Sequence, residues 1–410
     1  MNNISIKQKM VIRQCLSMLP MEQYKCPLLN YEYDKLDTDG LIKIFVAAQL
    51  DGWRSYTEIE KRLKANPELC KVFGIETFSG SQLSRRINAL PTELLRDLYT
   101  MVVEMLRTLT QHSKGLSKRI GILSILDATH LKLPENICDW AYVTKGWNVV
   151  KMHTRLIVAS PDTAYPDKIL PSTGNVSDFE GSDELIEKAD VTYVMDRGYG
   201  CTKRMAKWQK DDISFVVRIK TQYTFKVLEE YKPTCTHVSK SAKIKFSTSD
   251  EAFRLVEFIN EKGSIYRIVT TRWDLSEEEI MDIYKNRWMV ETFFKWIKQN
   301  LKLSIIRSTE PQGIWNHMFI ALIAYGLSLI VKLKMKTNKT HQQVLTLLRV
   351  YFYKTWGEFI EELYSKPQKT SKGRQKVPDK KKKLVKFPGT VAKIKGQDKK
   401  QKYLANIQNK

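Results

Sequence analysis

The sequence predicts an α/β chain: a mixed sheet preceded by a helical N-terminal segment and interrupted by a β-rich block. Three observations point there. Short β-branched runs bounded by turn or polar residues (GILSILD, VVKMHTRLIVAS, VTYVMD, ISFVVRIK) fill the region up to residue 220. Helical patterns stand between them, in GSDELIEKA before VTYVMD and CTKRMAKWQKD after it, and that alternation implies a mixed sheet. Four further strand-like runs (YTFKVLEEY, KIKFS, FRLVEFI, YRIVTTRW) follow closely, with NEKGS as a turn, and read as an antiparallel insertion.

The flanking elements complete the outline. LIKIFVAAQL and LPTELLRDLYTMVVEMLRTL carry apolar residues at helical spacing. Between them a short helix, a glycine-containing turn and the basic helix SQLSRRINAL read equally as a helix-turn-helix, with Arg85 and Arg86 facing DNA, or as a plain bundle with a solvated basic face. A long helix opens at Ser276 with Glu279 three residues on, a capping box, and runs to about Leu301. More helix continues through Tyr364. The expected domains are a helical DNA-binding segment 1–112, a catalytic α/β domain 113–220 and 265–335, an inserted antiparallel block 221–264, C-terminal helices 336–365 and a basic, disordered tail 366–410.

Composition narrows the partner. The chain has 410 residues and a formal net charge of +23, which calls for a polyanion. The tail from Lys366 holds 16 Lys/Arg against two acids, and the body keeps 52 basic against 43 acidic residues. Six scattered cysteines without a C-x-x-C pair argue against a zinc ribbon or disulfide framework and fit a reducing cytosol. The N-terminus lacks the apolar core of a signal peptide. The longest apolar run, MFIALIAYGLSLIV, falls short of the ~20 residues that span a bilayer and reads as a buried helix.

The helix after Ser276 holds YKNRWMVETFFKWIK. At about 100° per residue, with Ile283 at zero, Ile280, Val290, Phe293, Phe294, Ile297 and Leu301 lie within roughly 80° of the buried direction. Tyr284, Arg287, Glu291 and Lys298 fall at about 100°, 40°, 80° and 60°, a polar stripe along the edge of that face. Taken alone, Arg287 and Glu291 read as an i,i+4 ion pair worth ~0.3–0.5 kcal/mol. A charged stripe beside the core, however, calls for a charged neighbour or ligand, because burying charge unpaired is costly. Two more acids stand at strand ends: Asp127 closes GILSILD and Asp196 closes VTYVMD. Each alone reads equally as a turn or helix cap. Together with Glu291 they form an all-oxygen donor set of the kind Mg²⁺ or Mn²⁺ prefers, suited to two-ion phosphoryl transfer.

These residues resemble the Y-x2-R-x3-E-x6-K signature of bacterial insertion-sequence transposases of the DDE type. Here it is Tyr284, Arg287, Glu291 and Lys298, with no departure in spacing. LDATHLKL around Asp127 and VMDRGY around Asp196 are similar to that family's two Asp blocks, and the 95 residues from Asp196 to Glu291 leave room for its β-rich insertion. FVVRIK is similar to its strand carrying a DNA-touching Arg-x-Lys pair, here Arg218 and Lys220.

The resemblance implies an RNase H-like fold, with a five-stranded mixed sheet and Asp127, Asp196 and Glu291 as catalytic, metal-holding residues. It implies Mg²⁺ or Mn²⁺, two ions per site. It implies strand cleavage, a DNA hairpin intermediate and strand transfer. Tyr284, Arg287 and Lys298 become phosphate contacts near the cleaved end. Trp288 becomes a stacking platform for an extruded base, against core packing beside Phe294. Arg197 becomes a phosphate contact, against a plain surface role. The expected partner is double-stranded DNA, at element ends and target, bound by a homodimer in the bacterial cytoplasm at the nucleoid, with no membrane. Two other classes of function remain open: a binding-only remnant or inhibitor of transposition, and an RNase H-like nuclease without strand transfer.

Overall fold

The computed structural model describes residues 8–366, except 32, 34, 77, 136–137, 260–262 and 306, together with 391–392 and 403–404. The chain divides into two units, Met1–Tyr364 and Ser365–Lys410. Within the second unit the described pairing is Val391–Ala392 with Tyr403–Leu404. The rest of the expected basic tail lies outside the described residues.

Apolar and β-branched residues run through β1 (Leu123–Leu133), β3 (Trp147–Ser160), β5 (Thr192–Met195) and β6 (Ser214–Ile219); β3, β5 and β6 are mostly buried, as is the first part of β1. β1, β5 and β6 run parallel, whereas β3 is antiparallel to β1. The region expected to carry four strands carries two more. The three-residue β2 (Tyr142–Thr144) pairs with the start of β3. β4 (Thr163–Thr173) pairs with the rest of β3, on the same side as β2 and away from β1. β4 contains Pro166 and Pro171, which remove ladder donors, so its sequence does not read as a strand. It is tolerated at this edge, and a register shift at Arg155/Leu156 sets Asp167 outside the pairing.

β7 (Lys226–Tyr231), β8 (Val238–Lys245), β9 (Ala252–Ile259) and β10 (Ile265–Thr270) form the expected antiparallel block. β10 also pairs with β6, so the block extends the same sheet to ten strands in the order β2-β3-β1-β5-β6-β10-β9-β8-β7, with β4 on β3. The central part, β4-β3-β1-β5-β6, is a mixed sheet with helices on its faces and is compatible with an RNase H-like fold. The turn NEKGS falls largely outside the described residues.

The helical N-terminal region resolves into α1 (Val11–Leu16), α2 (Thr38–Asp51), α3 (Tyr56–Lys64), α4 (Pro67–Phe73), α5 (Gly80–Ala89) and α6 (Thr92–Thr110). Arg86 does not face outward as the helix-turn-helix reading required. It shares the i, i+3, i+4, i+7 stripe of Leu83, Ile87 and Leu90, is buried, donates to the Leu36 carbonyl and Thr38 Oγ1, and lies over the Tyr33 ring at 3.3 Å. Arg85 beside it is exposed.

The helix expected in GSDELIEKA is not formed. α7 spans only Asp178–Gly181, and turns follow. Tertiary bonds take the backbone groups a helix would use: Arg155 Nη1 binds the Leu185 carbonyl at 3.0 Å, and the Tyr193 hydroxyl donates to the Glu187 carbonyl at 2.8 Å. α8 (Thr202–Lys210) forms as expected.

The sheet separates two cores. Leu123, Ile125, Val194 and Val216 share one with α9 (Glu277–Asn286), α10 (Trp288–Asn300) and α11 (Pro311–Lys334). Leu126, Tyr193, Met195 and Val217 face the other, with Met205 and Trp208 of α8. α11 holds the long apolar run. By length and composition it passes as a membrane span, but 94% of its apolar window is buried here, against α2, α5, α6 and the following α12 (His341–Val350). α13 (Trp356–Tyr364) ends the first unit.

Candidate active site

Hydrogen-bond register brings the acids together. Ile125, Val194 and Val216 are paired across the three parallel strands β1, β5 and β6. Side chains alternate along a strand, so residues two further on return to the same face. Those residues are Asp127, Asp196 and Arg218, just beyond the last paired rungs. Asp127 was expected at the end of its strand. β1 instead continues to Leu133 on β3, and only its parallel pairing with β5 stops before Asp127. Asp196 does follow the last residue of β5.

The helix facing these positions brings Glu291. The apolar face read from the sequence, Ile280, Ile283, Val290, Phe293, Phe294, Ile297 and Leu301, is buried, and Ser276 with Glu279 forms the capping box. The expected single helix is divided at Arg287. The amide of Arg287 bonds the Tyr284 carbonyl and that of Val290 bonds the Arg287 carbonyl, both three residues back, so the turn tightens locally. Thr234 donates from its amide and hydroxyl to Glu277 Oε2, both at 2.8 Å, which ties the β-rich block to the start of α9.

Arg287 joins the strand to the helix. Its Nη2 meets Glu291 Oε1 at 2.6 Å and its Nη1 lies 3.5 Å from Asp127 Oδ2. Burial is the main force pushing the Asp127 carboxyl up to about 6, with Asp196 adding to it and Arg287 only partly offsetting it. Asp196 Oδ1 accepts the Gly198 amide at 2.7 Å. A Cβ on Gly198 would meet that oxygen at 3.0 Å, which favours glycine in the DRGY turn.

The remaining stripe residues divide. Lys298 Nζ donates to Thr129 Oγ1 at 2.7 Å and to the His130 carbonyl at 2.9 Å, so it is docked on β1 just beyond Asp127. Burial lowers its ammonium. Tyr284 is buried edge-on to Tyr266, with ring centres 5.9 Å apart, and the Arg218 guanidinium lies 4.0 Å over that same Tyr266 ring. A cavity of about 610 Å³ runs from here to Trp288, lined also by Phe258 and Arg287. Trp288 is 62% exposed, so the core-packing alternative for it fails. Arg197 and Lys220 are exposed.

The sequence reading passed over Tyr199 and Asp178. Tyr199, in the quoted DRGY block, is buried with Asp127, Asp196 and Asp178 near enough, after burial itself, to push its phenol well above the ordinary range. Asp178 accepts from Lys151 Nζ at 3.1 Å. Nothing in the spacing of Asp178 marked it, since it reaches the site through the β4–α7 turn.

Among the described residues, no three carboxylate, imidazole or thiol groups are gathered closely enough to hold a metal ion as they stand. The donor chemistry nevertheless suits a hard divalent cation: oxygen ligands from two adjoining strands and the facing helix, an Asp127 carboxyl whose charge Arg287 only partly offsets, and that arginine already drawn between two of the acids.

Comparison with known proteins agrees. The chain is 26% identical over 294 residues to the probable transposase for insertion sequence element IS5377 of Geobacillus stearothermophilus, covering 70% of this chain and 74% of that protein. It is 26% identical over 326 residues to the putative transposase for insertion sequence element IS4SA of Synechocystis, covering 78% and 88%. It is 24% identical over 217 residues to the putative transposase y4zB of Sinorhizobium fredii, covering 50% and 60%. The family model for the transposase DDE domain matches residues 119–327, the stretch that carries the three acids, and the chain therefore belongs to the DDE-domain transposases.

Proposed function

We propose that the chain excises and inserts an insertion sequence by cut and paste, as a member of the group with the Y-x2-R-x3-E-x6-K signature, through strand cleavage, hairpin formation and strand transfer. The observation that carries this reading is the Arg287 bridge from Asp127 to Glu291, with Asp196 one strand away. That bridge supports the reading, because Asp127, Asp196 and the Arg287–Glu291 pair come from distant parts of the chain to where the pairing of β1 with β5 ends.

Asp127, Asp196 and Glu291 would hold two divalent ions, Mg²⁺ or Mn²⁺, which when bound sharpen an attacking water or 3′-hydroxyl and stabilise the leaving oxygen. Arg287 balances the acids in the folded chain and offers its guanidinium to a phosphate beside them. Lys298, held on β1, sets a second cation along the same strand. Tyr284 and Arg218 line the approach, and Arg197 and Lys220 lie exposed where a DNA backbone would pass. The aromatic cavity between Tyr266 and Trp288 supports a hairpin step, because a tightly bent strand must release a base from its stack.

Domains follow the same reading: the helices up to residue 112 and the basic tail add DNA affinity, the tail by salt-dependent attraction. Two ends must be cut together, so the working form is a homodimer on DNA, in the bacterial cytoplasm.

The test places the two DNA flanks of the coding sequence around a marker on a plasmid, with the full-length protein, Mg²⁺ and a Glu291→Gln control. Marker release through hairpin ends, absent in the variant, is the expected result. Binding without cleavage would support a binding-only remnant instead. Cleavage without joined product would support a nuclease.

A further inference from the structure

Beyond the acids, β1 and β3 continue together as an antiparallel hairpin, in register from Asp127/Thr154 out to Leu133/Asn148. One face of this extension packs inward: Thr129 receives Lys298, and Leu131 and Leu133 are buried. The opposite face alternates outward and carries His130 and Lys132, both exposed. Trp147, at the start of β3, stands beside them. Its ring centre is 6.5 Å from that of His130, and Lys132 Nζ is 5.9 Å from it.

Trp147 is 44% exposed although its neighbours Asn148 and Val149 are buried. An indole on the rim of a hairpin contributes little to the core beneath it. Lys132 Nζ lies over the ring at 5.9 Å, at the outer limit of a cation–π contact, and can also reach a charge that arrives beside it. Lys145 is exposed at the same tip, and Glu135 is the acid next to its turn. An exposed aromatic plane with flanking cations is the combination that holds single-stranded nucleic acid: bases stack on the ring and phosphates meet the cations.

The distance from the acids gives this surface its meaning. His130 and Lys132 lie three and five residues beyond Asp127, roughly 10 and 17 Å along the strand and on the opposite face of the sheet from it. Beyond Ile125 β1 no longer pairs with β5, so a DNA strand advancing ~3.4 Å per nucleotide reaches this surface round that edge of β1, at least about three to five nucleotides from a phosphate held at the acids. His130 and Lys132 flank Trp147 and leave it 44% exposed, and the cavity beside Trp288 is lined by other residues.

We propose that Trp147, with Lys132 and His130, is a docking platform for the DNA strand that runs past the acids, stacking on an unpaired base a few nucleotides from the cleaved phosphate. The inference rests on the transposase reading and adds to it a contact that positions the strand.

The test measures binding of full-length protein to a flank duplex in EDTA, where no cleavage occurs. Single abasic sites are stepped along each strand across the first six nucleotides on either side of the cut. In the wild type, one abasic position in the window should weaken binding by roughly tenfold. Trp147→Ala should show the same loss on intact DNA and no further loss at that position. Trp147→Phe should keep most of the affinity, and Lys132→Ala should reduce the salt dependence. The inference is overturned if Trp147→Ala binds as the wild type does, or if it weakens every abasic duplex by one common factor. Thermal melting of each variant separates a lost contact from a damaged hairpin. If the wild type binds neither flank above random DNA, the transposase reading fails and this contact with it. If the wild type cuts the flanks and Trp147→Ala matches it throughout, only the contact fails.

Discussion

Asp127 and Asp196 stand two residues beyond the same paired rung, Ile125 with Val194, on adjacent parallel strands and on the same face of the sheet. The folded chain therefore holds two carboxylates side by side in a partly buried place. Burial first, and then the neighbouring charge, raise the Asp127 carboxyl from 3.8 to about 6. The sign of the pH effect follows. Between about 4 and 6 the folded state binds the proton more tightly than the unfolded state, so this group's contribution to stability falls as pH rises through that window.

Above that window Asp127→Asn should be the more stable protein, by on the order of 1–3 kcal/mol at pH 7 in EDTA, with the difference vanishing near pH 4. Urea midpoints of both proteins across pH measure it, and Mg²⁺ should narrow the gap by stabilising only the wild type. A variant less stable than the wild type at pH 7 would show that Arg287 fully offsets the Asp127 charge. Cleavage should rise from pH 5 to 7 as Asp127 ionises.

Arg287 reaches both Asp127 and Glu291, and only a planar fork does this with one side chain. Arg287→Lys should slow cleavage on the order of 10²-fold while flank binding persists, whereas Asp127→Asn, Asp196→Asn and Glu291→Gln should each abolish cleavage. Single-turnover nicking assays and mobility shifts separate the two effects. Near-normal cleavage by any of the three acid variants would show that its acid is not catalytic.

Arg155 is held between Asp167, by Nε to Oδ1 at 2.8 Å and Nη2 to Oδ2 at 2.7 Å, and Glu187 at 2.6 Å. Arg155 and Asp167 are nearly without solvent contact. Arg155→Ala leaves the buried Asp167 with Arg107 as its remaining partner, Nη2 to Oδ2 at 2.9 Å, and should cost about 1.5–3 kcal/mol. Denaturant unfolding measures this directly. A loss under about 1 kcal/mol would indicate that the β4 edge relaxes to admit water.

Trp288 is exposed beside the Tyr266 cavity. Trp288→Ala should leave the first nick and the melting temperature unchanged and reduce hairpin product by roughly tenfold. Trp288→Phe should recover much of it. Equal loss of nick and hairpin would place the residue in general DNA binding instead.

His317 and His341 are buried deep enough that both imidazoles are pushed down to about 3. His341 stacks on Trp296 with ring centres 4.6 Å apart and shares a 2.7 Å hydrogen bond with Ser328. A lowered folded value means that the unfolded chain takes the proton first. Stability is therefore fully present above about pH 6.5 and is lost as pH falls toward 3. Acid unfolding should be steep across this range and visibly shallower in His341→Asn.

Local patterns carried much of this protein in plain view. The 3.6-residue period identified the buried face of α9 and α10, and the capping box at Ser276 marked where it starts. The run in α11 read as buried, and it is. The spacing of Tyr284, Arg287, Glu291 and Lys298, with the two Asp blocks, pointed to the family. These features depend on short-range geometry, which a sequence states directly.

Long-range pairing decided the rest. β4 was hidden by its prolines, which only an edge position tolerates, and the expected helix after Gly181 gave way to bonds from Arg155 and Tyr193. Arg86 turned inward because a carbonyl and a tyrosine ring awaited it there. The sequence by itself determined which residues are acidic, apolar or aromatic, and at what helical phase. Only the tertiary structure determined that β1 and β5 share a rung, so that Asp127 meets Asp196, and that Arg287 faces both strand and helix. Register between strands distant in sequence is set by the packing of whole faces, and no local pattern encodes it.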